Sequence, residues 1–189
     1  MNMKVNNPSH TSMFMALLLL LAVVLACSKT IGNETAQANK LVDEGNAAVQ
    51  EAKKFVTEAE SKKDAMLHTN VRQMAEARTL AKEAVAAYDK AEEKCKEAAK
   101  KYDEASKLKI NDKFKEYLGL KVKEYNKRAE LVAAARSTPQ ALIDSESRKS
   151  FVTRAQAANE KVDQLSKEAE ELADQSTKLQ KDNPDIFKS

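Results

Sequence analysis

Apolar residues are distributed along this chain in two different ways. Residues 13–26 (MFMALLLLLAVVLA) are apolar without a break, whereas from Thr35 onwards apolar positions recur every three or four residues among charged ones. The second pattern is that of amphipathic helices that each carry one apolar seam. Val42, Val49 and Val56 form a seven-residue series, with Gly45, Ala52, Ala59 and Met66 as its companion. A stronger pair of series follows: Met74, Ala81, Tyr88, Cys95 and Tyr102, and beside it Ala77, Ala84, Ala91, Ala98 and Ala105. Alternating large residues with alanine lets a neighbouring helix approach closely while the larger side chains fill the gaps.

Between the two pairs of series the phase moves by four residues, a stutter that unwinds a supercoil locally without ending the helix. No Gly or Pro lies between Ala65 and Met74. The pattern therefore favours one helix running through His68-Thr69-Asn70 over a hairpin at that point. Such a helix, from Thr35 to Leu108, would be a rod of about 110 Å. Phase is lost at Lys107–Lys113, where Asn111 or Asp112 can cap a new helix. Phe114, Leu118, Val122, Tyr125, Ala129 and Val132 then form a shorter returning stripe, and Ser137-Thr138-Pro139 reads as a boundary with proline at a first helical position. The last helix carries Phe151, Ala158, Leu165, Leu172 and Leu179 in one series and Ala155, Val162, Ala169 and Ser176 in the other. It ends at Asp182-Asn183-Pro184. The expected fold is all-α: an elongated antiparallel helical bundle or coiled coil of about three long helices. Its seam comprises Met74, Ala77, Ala81, Ala84, Tyr88, Ala91, Cys95, Ala98 and Tyr102, with Leu165, Leu172 and Leu179 contributed by the last helix.

The uninterrupted apolar run belongs to a different kind of segment. Its 14 residues would span about 21 Å as a helix, short of the roughly 30 Å hydrocarbon core of a bilayer. A positive start at Lys4, a short apolar stretch and a small-residue exit together read as a secretory signal peptide. At that exit, Val24-Leu25-Ala26-Cys27 resembles the lipobox of bacterial envelope lipoproteins. The resemblance implies cleavage before Cys27 and acyl chains on its thiol, which would hold the protein on a membrane. It also implies, from Ser28 after the cysteine, export to the outer membrane, facing the periplasm or the surface. Ordinary cleavage after Ala26, which Val24 and Ala26 also suit, is the competing reading, and an uncleaved short anchor is another. In a eukaryotic secretory setting Asn33-Glu34-Thr35 would be a glycosylation sequon, a pattern that often arises by chance. The expected organisation is a signal peptide over 1–26, a lipidated tether over 27–34, the helical domain over 35–182 and a C-terminal tail over 183–189.

Composition narrows the function classes. Aromatic residues make up only 5% and there is no Trp, so any core is thin and has little material to line a deep substrate pocket. A net charge of +3 gives no global case for nucleic-acid binding. With Cys27 lipidated, Cys95 has no intramolecular disulfide partner. It reads as a small buried hydrophobe, or as an interchain disulfide in a dimer. His68 is the one histidine after the signal and reads as a solvated helix residue. Ser106-Lys107-Leu108-Lys109 matches a serine-x-x-lysine pattern without its companion motifs. Glu92-Glu93 and Glu170-Glu171 with Asp174 read as ion-pairing helix faces rather than acid–base pairs.

Lys107–Arg128 is the one locally basic stretch, with Tyr117 and Tyr125 inside it. It reads either as a contact for anionic lipid heads, lipopolysaccharide or peptidoglycan, or as an internal match for the acidic last helix. The lipobox and Ala-rich heptads are similar to those of the murein lipoprotein, which attaches to peptidoglycan through a C-terminal lysine; here Lys188 is penultimate and the body is longer. The function expected is a non-catalytic, membrane-anchored structural or interaction lipoprotein of the cell envelope. It would need no cofactor, and its partner would be an envelope protein or peptidoglycan, with an oligomer possible. The alternatives are a secreted soluble coiled coil with a binding or chaperone-like role, and a peripheral lipid-binding amphipathic helix.

Overall fold

A computed structural model describes residues 32–70 and 73–187. Four long helices fold back on one another: α1 (Gly32–His68), α2 (Met74–Ser106), α3 (Asp112–Asp144) and α4 (Arg148–Asp182), with a single turn α5 (Pro184–Phe187) behind them. Each long helix is about 50–55 Å from end to end. Extensive packing joins only sequential neighbours, α1 with α2, α2 with α3 and α3 with α4, while α1 meets α3 over a short stretch. The described residues thus form an up-down-up-down bundle in which α4 is supported mainly by α3.

The first correction concerns the expected 110 Å rod. The chain turns back at Thr69–Gln73, and the two heptad series face each other instead of lying end to end. Side chains close the helix at the turn. The His68 ring bonds the Asp64 carbonyl through Nδ1 at 2.7 Å, and the Thr69 hydroxyl donates to the Ala65 carbonyl at 2.8 Å. Both bonds run from a side chain to the carbonyl four residues earlier, in the last turns of the helix. The gain lies in burial, because a single rod would leave both alanine seams in water, whereas the hairpin packs each against the other.

The α1–α2 register is regular. Lys101 pairs with Glu44 at 2.6 Å, Lys94 with Glu51 at 2.7 Å and Lys62 with Glu83 at 2.6 Å. Seven residues forward on α1 match seven back on α2, and then eleven match eleven, so the two helices run antiparallel in constant register. The hydroxyls of the two large buried residues of α2 reach across the same interface: Tyr102 donates to Asn46 at 2.7 Å and Tyr88 to Glu60.

Asn111 is the cap of α3; its Oδ1 accepts from the amides of Lys113 at 2.8 Å and Phe114 at 3.4 Å. The second correction is that α3 does not stop at Pro139 but passes through it to Asp144. Proline lacks the N–H that would bond the Ala135 carbonyl, a loss of about 3 kcal/mol in an exposed helix. Here Thr138 and Pro139 are buried, and the extra turn carries Leu142 and Ile143 onto Met66, Leu80, Ala77 and Ala81. Ser147 then caps α4, accepting from the Ser150 amide at 3.2 Å. The returning helix is therefore as long as its neighbours, and four long helices replace the expected three.

Both ends also differ from expectation. Helix begins at Gly32, three residues before Thr35. Beyond Asn183 the expected tail contains the single turn α5, and Phe187 is buried edge-on against Phe114 at 5.7 Å and Tyr117 at 5.0 Å. Of the expected seam, Ala77, Ala81, Ala84, Tyr88, Ala91, Cys95, Ala98, Tyr102 and Leu165 are buried. Leu172 and Leu179 are half-buried, and Met74 stands exposed at the start of α2.

Two glycines separate helix propensity from packing. A Cβ on Gly45 would sit 3.0 Å from the Tyr102 ring, whereas one on Gly119 meets nothing within 4 Å. Tyr102 cannot withdraw, because it is held by Asn46 and lies 5.5 Å, centroid to centroid, from Tyr125. Gly119→Ala should raise stability by about 0.5–1 kcal/mol. Gly45→Ala should lower it by about 1 kcal/mol, since overpacking outweighs the same propensity gain. Urea denaturation of both variants checks the difference in sign.

Candidate functional site

The candidate lipidation residue Cys27 and the cleavage residues Val24, Leu25 and Ala26 lie outside the described residues. Inside them, the isolated candidates are occupied structurally. Cys95 is a free, buried thiol among alanines, and burial pushes its pKa up to about 11. His68 is exposed and turned onto its own helix. The Ser106 hydroxyl donates to the Asp103 carbonyl at 2.8 Å, and the backbone amide of Lys109 donates to Glu34 at 2.5 Å, so the two side chains of the serine-x-x-lysine pattern are not brought together by these bonds. Glu92 pairs with Lys96 at 2.5 Å, Glu93 is exposed, and Glu170 accepts from Ser166 at 3.4 Å beside exposed Glu171 and Asp174. Among the described residues no cluster of acids, histidines or cysteines could hold a metal ion, and no helix is long and apolar enough to cross a membrane.

The basic stretch resolves into something more specific than a solvated or a matching face. Among the described residues Lys127 is the one cation of this stretch paired with α4, to Glu168 at 3.0 Å as well as to Glu130 on its own helix at 2.7 Å. Lys121 and Arg128 instead converge on Glu124, at 2.6 Å and 2.8 Å. Glu124 is 2% exposed, the most buried charged residue described. Its partners stand three residues before and four after it, the two helical spacings at which side chains meet. Both cations also lie over the Tyr125 ring, Lys121 at 4.9 Å and Arg128 at 5.8 Å from its centroid. A ring face attracts cations, and a desolvated one does so more strongly than an exposed one.

Lys53 lies on α1. It is half-buried, and no ion pair or side-chain hydrogen bond holds its ammonium among the described residues. Burial holds its pKa below the usual lysine value, and the charges of Arg128 and Lys121 push it the same way. The pattern of the chain identified the basic stretch but missed the buried glutamate and Lys53. The available signal was Lys121-x-x-Glu124-x-x-x-Arg128 wrapped around Tyr125 on the apolar side of the stripe.

No protein family, curated protein or solved structure matches this chain. The site is therefore read from its own geometry.

Two outcomes follow from this packing. Truncating Glu124 leaves the partly buried heads of Lys121 and Arg128 without the carboxylate they share. Glu124→Ala should therefore cost about 3 kcal/mol in urea denaturation, whereas truncating Glu116, which pairs with Lys113 at 2.7 Å on the exposed side of α3, should be nearly neutral.

The tyrosines report on alkaline stability. Tyr88, Tyr102, Tyr117 and Tyr125 are the four tyrosines of the chain, and burial is the main cause that raises each pKa, to about 12 for Tyr117. In the unfolded chain they ionise near pH 10. The unfolded state therefore binds fewer protons above that pH, and stability, full below about pH 10, falls as pH rises towards 12. Tyrosinate absorbance should appear together with loss of helical circular dichroism, and not at pH 10 in a folded chain.

Proposed function

We propose that this protein is a membrane-anchored lipoprotein of the bacterial cell envelope, with a structural or interaction role and no reaction of its own. The observation that carries the proposal is the short apolar run ending in Val24-Leu25-Ala26-Cys27, directly ahead of a helical body. Four residues separate Cys27 from the start of α1 at Gly32. Even fully extended, that segment reaches at most about 18 Å. Acyl chains on Cys27 would therefore hold the bundle against the bilayer by the end where α1 starts and the α2–α3 turn lies.

The opposite end would then project roughly 50 Å outward. It holds the exposed large hydrophobics Leu67, Met74 and Val152, at the α1–α2 turn and the start of α4. Exposed apolar side chains at an end facing away from the membrane suit contact with an envelope protein. The acyl chains themselves are the membrane partner, and their combined burial makes the anchor effectively permanent.

The test is the intact mass of native protein extracted from membranes, beside a Cys27→Ser variant. Diacylglyceryl mass on a chain beginning at Cys27, absent from the variant, is the expected result. A chain that begins at Cys27 without added mass would make the protein a secreted soluble helical module instead.

A further inference from the structure

The four long helices are not held equally. α4 packs extensively only on α3, and it buries Ala158, Leu165, Ala169 and Ser176, four residues against eleven on each of α2 and α3. None of its first ten residues, 148–157, is buried. α1 also has one extensive neighbour, but three ion pairs and the hydroxyls of Tyr88 and Tyr102 tie it to α2. Among the described residues a single polar contact joins α3 to α4, the pair Lys127–Glu168 at 3.0 Å. Both of its side chains reach water, so it contributes little.

The side of α3 next to α4 is also largely polar. Glu124, Leu131, Thr138 and Ser145 are buried at seven-residue intervals and share one face. Lys127, three residues after Glu124 and four before Leu131, borders that face and crosses to Glu168. Leu131, the one apolar member, joins none of the buried clusters that α3 shares with α1 and α2. Uncovering such a face forfeits little apolar burial. Ser145 gains by it, because its buried hydroxyl has no hydrogen-bond partner among the described residues and water would supply one. Ser145 and Ser147, both extended, connect α3 to α4. The far end of α4 is fastened differently, by Phe187 seated against the Phe114 and Tyr117 rings of α3.

We propose that α4 and α5 form a hinged arm that swings off α3 as a unit while α1, α2 and α3 stay folded together. Residues 145–147 are the hinge and Phe187 is the latch. The hinge keeps the start of α4 beside the end of α3, so the Phe187 end travels furthest. The arm follows from packing alone and does not depend on lipidation of Cys27.

Hydrogen exchange of the full chain under native conditions, read segment by segment by mass spectrometry, tests the arm. Once off α3, α4 is a single helix, marginal in water, so its amides exchange when the arm opens. Amides of residues 152–182 should exchange as one group, about 10-fold or more faster than the buried amides of α1 and α2. Phe187→Ala should speed that group by about 100-fold and leave α1 and α2 unchanged. Ser145→Ala should slow it by about 5-fold, since the closed arm no longer buries an unbonded hydroxyl. Val49→Ala, inside the buried core of α1, should have the opposite selectivity, speeding α1 and α2 while α4 keeps its rate. Exchange of α4 in step with α1 and α2, or acceleration of all four helices alike by Phe187→Ala, would overturn the proposal.

Discussion

The fold depends on the closeness with which α1 and α3 approach α2. Every member of the short-residue series on α2 is alanine, and Ala87 and Ala99 widen the buried surface beyond one seam. A helix flanked on two sides needs such a surface, because larger residues would hold one neighbour or the other away. The consequence is a core that contributes little per residue. An alanine buries roughly one methyl group, where leucine would bury several times that area. Stability must come from the length of the contact, which explains why all four helices extend over more than thirty residues.

Alanine seams are also poor at specifying register. A slip of seven residues between α1 and α2 would place alanine against alanine again. Tyr102 removes that freedom. Its ring fits over Gly45, where even a methyl group would stand at 3.0 Å, and its hydroxyl finds Asn46 on the same turn. Tyr88 makes the equivalent cross-helix bond to Glu60. A seven-residue slip would drive the Tyr102 ring into a side chain and separate it from Asn46. The exposed lysine–glutamate pairs along the same edge contribute little individually, but each would be broken by the slip. Packing holds the helices together, and the tyrosines with their polar partners choose among the ways of doing so.

This division explains which features the chain discloses before its structure is known. Heptads in Ala77–Ala105 and the stripe from Phe114 to Val132 reveal apolar faces, because a face is a local property of one helix. Whether two in-line faces continue or fold back is not local. A four-residue phase shift at His68 fits a stutter as well as a turn, and the choice rests on burying two seams against each other. Pro139 misleads for the same reason. Its local preference for a helix start is outweighed by Leu142 and Ile143, whose partners lie on α1 and α2. Within the charged site, Tyr125 and the surrounding cations are visible as a basic stripe. The burial of Glu124 is not, since it depends on how the helices cover that side of α3.

Glu124 poses the sharpest physical question in so thin a core. A buried ion pair seldom improves on well-packed apolar residues of similar volume, because desolvating the charges offsets their attraction. Leu131 occupies the next heptad position on the same face of α3 and is 4% exposed without any such difficulty. A leucine at 124 would continue that series and remove the desolvation. Stability alone therefore gives no reason for a carboxylate there. What the carboxylate does, and leucine would not, is fix the heads of Lys121 and Arg128 in one place beside the Tyr125 ring. Long basic side chains otherwise spread into water, each losing up to about 2 kcal/mol of rotamer freedom when held. Glu124 meets that ordering cost within the folded chain.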